Sequence, residues 1–169
     1  MMIFRFRILS DENDYFVRDI EVGYEMTLLE LHEFVCKIVD FDPKEIASFF
    51  MADRSWERGQ EFTLMDMGEE ENDDSPEAME SVSLGQIIHK NGERLIYMFD
   101  FISERALFME LTGSDKADPE VRYPRMVHSE GDAPDQFNPD ALIGSGSIFD
   151  DAMDDFGDFE GDDDIYDDE

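Results

Sequence analysis

From Ile3 to Leu9 the chain reads IFRFRIL, with Phe4, Phe6 and Ile8 on one side of an alternation and Arg5 and Arg7 on the other. A period of two is that of a strand with one buried face. The polar run DEND at 11–14 supplies a turn, and YFVRDIEV at 15–22 reads as the return strand of a hairpin. The period then changes. In TLLELHEFVCKIV, Thr27 to Val39, the apolar residues recur at helical spacing, with Leu28, Leu31, Phe34 or Val35, and Ile38 on one stripe. Thr27 caps the start while Glu30 reaches back to form a capping box, and Met26 packs on Leu31 as a hydrophobic staple. Pro43 lies beyond the helix end, because a proline ring cannot continue the helical ladder.

The apolar run IASFFMA at 46–52 reads as a buried strand, and QEFTLMDM at 60–67 as another. The acidic stretch GEEENDDSPEAME, residues 68–80, reads as a surface loop. Ser83 and Gln86 then form a second capping box, flanked by Val82 and Ile87 as its staple, and Asn91-Gly92 supplies a left-handed stop. Two strands follow, Glu93 to Phe99 and Arg105 to Thr112, joined by residues 100–104. The first is apolar on both faces, which places it centrally in its sheet. Hairpin, helix, then strands is the order of a β-grasp-like α+β domain, a mixed sheet over one main helix.

Charge divides the chain. It carries 45 acidic residues against 13 basic, a net charge of −32 over 169 residues. Arg125 is the last basic residue, and 15 of the carboxylates follow Gly131. The length suits one domain with a real core. Residues 132–169 are dominated by Asp, Gly, Ser and Pro, a composition that buries too little apolar surface to offset ordering entropy. The expected organisation is one domain over 1–131, with the acidic loop at 68–80, and a disordered acidic tail over 132–169. Direct contact with nucleic acid is disfavoured by the repulsive field, as is an anionic membrane. The expected partner is a basic or grooved protein. With Arg5 and Arg7 interrupting the first apolar segment, no run of membrane-spanning length and one cysteine, Cys36, the chain reads as cytoplasmic and free of internal disulfides.

Within the tail, Phe149, Met153 and Phe156 stand at i, i+4 and i+7, with Phe159 three further on. One apolar stripe among carboxylates is the pattern of a segment that folds into a partner's groove. The plainer reading is a solubilising tail whose aromatics are incidental. A phosphate mimic and a weak divalent buffer are further readings.

Few residues elsewhere suggest chemistry. Asp100 reads as a polar strand end bonding the amides of the turn that follows, against the sharper reading of a catalytic or ligand-binding carboxylate. His32 and Cys36 lie four apart on the helix and can reach one metal ion. Two ligands do not make a zinc site, so His32 reads as a partly buried, hydrogen-bonded helix residue. No cofactor is implied.

Taken together, TLLELHEFV at 27–35, IASFF at 46–50, VSLGQII at 82–88 and YMFDF at 97–101 resemble the Ri-plasmid ORF-three-like family. The resemblance runs over roughly residues 2–125 and implies a small α/β protein, found in plasmids and other mobile elements, with no established reaction. Its motif positions here are His32, Tyr97, Asp100 and Phe101. The family continues Asp-Phe with Gly-Asp, then Trp and His, whereas this chain has Ile102 and Ser103, then Arg105 and Leu107. Further on, Pro124 is retained. These readings point to a non-enzymatic interaction module. The rival is an enzyme or small-ligand binder with a pocket near Tyr97, Asp100 and His32.

Overall fold

A computed structural model describes residues 1–64 and 76–137. The alternating N-terminal segment forms β1 (Met2–Ser10) and its return forms β2 (Val17–Gly23), paired antiparallel with Phe6 opposite Ile20. The helical segment is α1 (Leu28–Val39), whose Thr27 and Glu30 make both bonds of the capping box. It ends at Asp40, which takes the left-handed conformation. The buried side of α1 carries Leu28, Leu31, His32, Val35, Cys36 and Val39. The stripe thus lies nearer Val35 than Phe34, and it takes a histidine and a cysteine into the core where hydropathy alone favoured Ile38.

After α1 come β3 (Ser48–Ala52), β4 (Arg58–Thr63), β5 (Glu77–Ala78), a single 3-10 turn (Met79–Ser81) and the short α2 (Leu84–Ile87). The chain then runs through β6 (Arg94–Asp100), β7 (Arg105–Lys116) and β8 (Arg125–Glu130). Among the described residues the strands form one sheet in the order β5-β4-β3-β6-β7-β1-β2-β8. The β4–β5 pair is parallel and the others antiparallel, so the sheet is mixed. β6 lies between β3 and β7, in agreement with its apolar residues on both faces.

The two capping boxes are spatial neighbours. Thr27 and Ser83 form an isolated antiparallel bridge, the Leu28 N–H donates to the Val82 carbonyl at 2.9 Å, and the Leu84 N–H donates to the Met26 carbonyl at 2.9 Å. The unpaired amides that open each helix are therefore satisfied by the residues leading into the other.

Three expectations need correction. The acidic loop read over 68–80 stops earlier: Glu77–Ala78 pairs with β4, and Met79 is wholly buried. Acidic composition hid one apolar anchor at the loop's end; residues 65–75 lie outside the described residues. The second helix ends at Ile87 rather than at Asn91-Gly92. Gly92 is left-handed, with φ of 90°, but it serves the turn that enters β6. Finally, β8 was not anticipated, because all six of its residues are exposed and none repeats an apolar period.

The compact unit runs Met1–Gln136, so the packed chain continues past Gly131. Gly131 makes this continuation sterically feasible. Its φ is 71°, and a Cβ there would abut the Tyr15 carbonyl and sit 2.8 Å from the Phe16 nitrogen. Both obstacles are backbone, which cannot swing aside. Gly131→Ala is expected to destabilise the fold by about 1–3 kcal/mol, read as a lower urea midpoint.

Candidate functional site

Two of the four motif positions meet in the core. α1 directs His32 and Cys36 inward one turn apart, and β6 directs Tyr97 toward them from the sheet. The Tyr97 hydroxyl lies 2.8 Å from His32 Nδ1 and 3.2 Å from Cys36 Sγ. On the far side of the ring, His32 Nε2 is 2.8 Å from the Pro43 carbonyl oxygen. A carbonyl only accepts, so Nε2 carries the imidazole proton and Nδ1 offers its lone pair to the Tyr97 O–H. The Tyr97 oxygen is then left to accept from the Cys36 thiol. The result is an ordered chain of donors from Cys36 through Tyr97 and His32 to Pro43.

All three side chains are buried, and the Phe49 ring packs on Tyr97 with centroids 4.9 Å apart. Burial pushes the Tyr97 phenol far above its ordinary value, with the neighbouring Cys36 adding to the effect. Burial likewise pushes the Cys36 thiol up, and its contact with the Tyr97 hydroxyl offsets only part of this. Both groups are therefore protonated at neutral pH. A buried, protonated thiol is a poor nucleophile. The arrangement fixes the segment after α1 to the centre of the sheet, and its polar atoms are directed at one another.

Asp100 belongs to a different group. At the end of β6, its Oδ1 accepts from the N–H groups of Ile102 and Ser103 at 3.1 Å and 3.2 Å, while Oδ2 lies 3.6 Å from Arg105 Nη1. This is the strand-end role read from the sequence. Phe101 follows it at the exposed hairpin tip.

Arg105 is the centre of that group, and its side chain is only 7% exposed. Its Nε and Nη2 donate to the two carboxylate oxygens of Glu12, each at 2.9 Å. It also donates to the carbonyls of Asp135 at 2.6 Å and Gln136 at 3.2 Å, and its guanidinium stacks 4.8 Å from the Phe99 ring centroid. Burial alone would lower the Arg105 pKa, but Glu12 and Asp100 reverse this and raise it. Arg18 provides the contrast. It binds the Val17, Glu130 and Gly131 carbonyls, and burial lowers its pKa, outweighing the nearby Asp132 charge that acts to raise it. These two arginines hold residues 130–136 across the end of the β1–β2 hairpin. Gln136 completes the fastening by bonding the Asp42 backbone in both directions.

On the opposite face of the sheet, Glu21 is buried between Arg5 Nε at 2.8 Å and Arg125 Nε at 2.7 Å. Burial would raise its carboxyl pKa, but the hydrogen bonds and charges of the two arginines outweigh this and hold it below 4.5. A depressed carboxyl stabilises the fold above its unfolded pKa and loses that contribution as pH falls through the folded one. At neutral pH Glu21→Gln should cost about 1–2 kcal/mol, discounted because both guanidiniums are partly exposed. Melting curves of the two proteins should converge as pH falls below 4.5. The comparison is a difference because acidification also relieves the repulsion of the whole chain.

Arg18, Arg105, Glu12 and Glu21 carry no motif, and sequence reasoning missed all four. The available signal was an arginine or carboxylate inside or beside an otherwise apolar strand. The tail positions Phe149, Met153, Phe156 and Phe159 lie outside the described residues. Among the described residues, no group of three or more His, Cys, Asp or Glu side chains is arranged to hold a metal ion. No described helix is long and apolar enough to cross a membrane.

The fold and its interior define a single α+β domain, a mixed eight-stranded sheet with one main helix joined to the central strand by a buried polar chain. The family described as "Plasmid pRiA4b ORF-3-like protein" matches residues 2–137, and the chain belongs to it. Among solved structures, the chain is similar in fold to the protein of unknown function MM3350 from Methanosarcina mazei Go1. The TM-score is 0.66 at 14% identity, over 93% of this chain and 86% of that one. No curated protein matches it.

Proposed function

We propose that this protein is a non-enzymatic cytoplasmic interaction module, in which a β-grasp-like body carries a disordered acidic segment that engages a basic or grooved protein partner. The observation that carries the reading is the division of charge: every lysine and arginine precedes residue 126, whereas 15 carboxylates follow Gly131. Phe149, Met153, Phe156 and Phe159 supply the apolar contacts of the segment, and its acids steer it toward basic surroundings. The inward-directed bonding of His32, Tyr97 and Cys36 supports a scaffold role for the body.

The rival reading, a small-ligand or enzymatic site near Tyr97, Asp100 and His32, draws on the contact between His32 and Tyr97. It ranks second because Asp100 bonds its own turn and pairs with Arg105. A pull-down comparing the full chain with one ending at Gln136 tests the first reading. The full chain should capture a partner that the shorter one loses, with capture weakening as salt rises. Identical partner sets would remove the acidic segment from consideration.

A further inference from the structure

The sheet ends on two unequal edges. β5 is two residues long, whereas β8 presents six, Arg125–Glu130, all exposed. β8 is paired with β2 on one side and with no other described strand. Among the described residues, its backbone groups directed away from β2 therefore have no strand partner and form a row, the template on which another strand adds.

The side chains specify which strand fits. In a chain of net charge −32, β8 reads RMVHSE, with one arginine at its start and one glutamate at its end. Laid antiparallel on a copy of itself, with the two-fold axis between Val127 and His128, each Arg125 falls opposite Glu130 of the second copy. Met126 then meets Ser129, and Val127 meets His128. Opposite charges thus face each other at both ends. A basic strand would instead set a like charge against Arg125.

Two apolar residues reinforce this choice. Met126 and Val127 are 41% and 46% exposed. β2 pairs Ile20 with Met126 and Asp19 with His128, so Val127 is the extra residue of a bulge and has no opposite number on β2. At the centre of a self-paired edge it acquires one.

We propose that β8 pairs edge to edge with β8 of a second copy, forming an isologous two-fold dimer with a sheet continuous across the axis. The contact is one short strand pair, so the dimer is weak and concentration-dependent. Two strongly negative chains repel, and salt screens that repulsion. Self-association therefore tightens as salt rises, the reverse of the salt dependence expected when the acidic segment binds a basic partner. The two proposals can consequently fail independently.

Sedimentation equilibrium of the full chain at low and high salt provides the test. The expected result is a monomer–dimer equilibrium that shifts toward dimer at high salt. Glu130→Arg should weaken it about tenfold, because both end pairs turn from attractive to repulsive. Val127→Asp should weaken it as well. Both positions are exposed, so circular dichroism and melting temperature should stay at the unsubstituted values. A monomer at every concentration and salt, a dimer indifferent to both substitutions, or a dimer that dissociates as salt rises would each overturn the proposal.

Discussion

Replacing Tyr97 with alanine is expected to destabilise the protein by about 3–5 kcal/mol, the range for truncating a large buried aromatic side chain. Tyr97 is among the largest fully buried side chains, and its loss opens a cavity between Phe49, His32 and Cys36. It also leaves His32 Nδ1 without its donor. Tyr97→Phe separates these effects, because it retains the ring and removes only the hydroxyl. That variant should lose about 1–3 kcal/mol, the penalty for an unsatisfied buried polar group. Denaturant titrations measure both variants, and thiol labelling supplies a second readout. Cys36 should resist labelling in the native protein and react faster in Tyr97→Ala, where reagent enters the cavity. A Tyr97→Phe variant as stable as the original would show that the hydroxyl does not bridge the helix and sheet as described.

The second large effect is expected at Arg105. Arg105→Ala removes a bidentate pair with Glu12, a contact with Asp100 and donors to two backbone carbonyls. Breaking a buried ion pair destabilises by about 3–5 kcal/mol when the remaining charge stays buried. Glu12 is 33% exposed and regains some hydration, so the expected loss is at the low end, about 3 kcal/mol. Arg105→Lys should recover only part, because an ammonium group cannot reproduce the planar two-point bond to Glu12. The loss should also be local. Residues 132–136 should become susceptible to limited proteolysis in Arg105→Ala before the rest of the domain opens. Equal protease resistance in the two proteins would contradict the fastening role assigned to Arg105.

The two groups differ in how far the sequence announced them. His32 lay on the most clearly predicted helix and Tyr97 on the most apolar strand, so each could be placed on its element. Their contact could not be read, since it joins residues 65 apart in sequence. Asp100 was placed and its role anticipated, because an Asp bonding the amides that follow it is local chemistry. Arg105 was read only as the residue where a strand begins and as a departure from the family pattern. Its partner Glu12 lies in a turn 93 positions away, and the DEND sequence at 11–14 does not mark which acid faces inward.

By itself, the sequence determined what depends on near neighbours: the alternation that makes β1 and β2, the two capping boxes, the centrality of β6 and the turn at Asp100. It also determined the uneven distribution of charge. Only the tertiary structure decided that the two helix starts lie side by side, that Cys36, Tyr97 and His32 form one chain of hydrogen bonds, and that exposed β8 is an edge strand of the sheet. Periodicity and capping arise from interactions within a few residues. Pairing between distant strands and the burial of a charge against its partner depend on which surfaces meet when the chain collapses, and no local pattern records that choice.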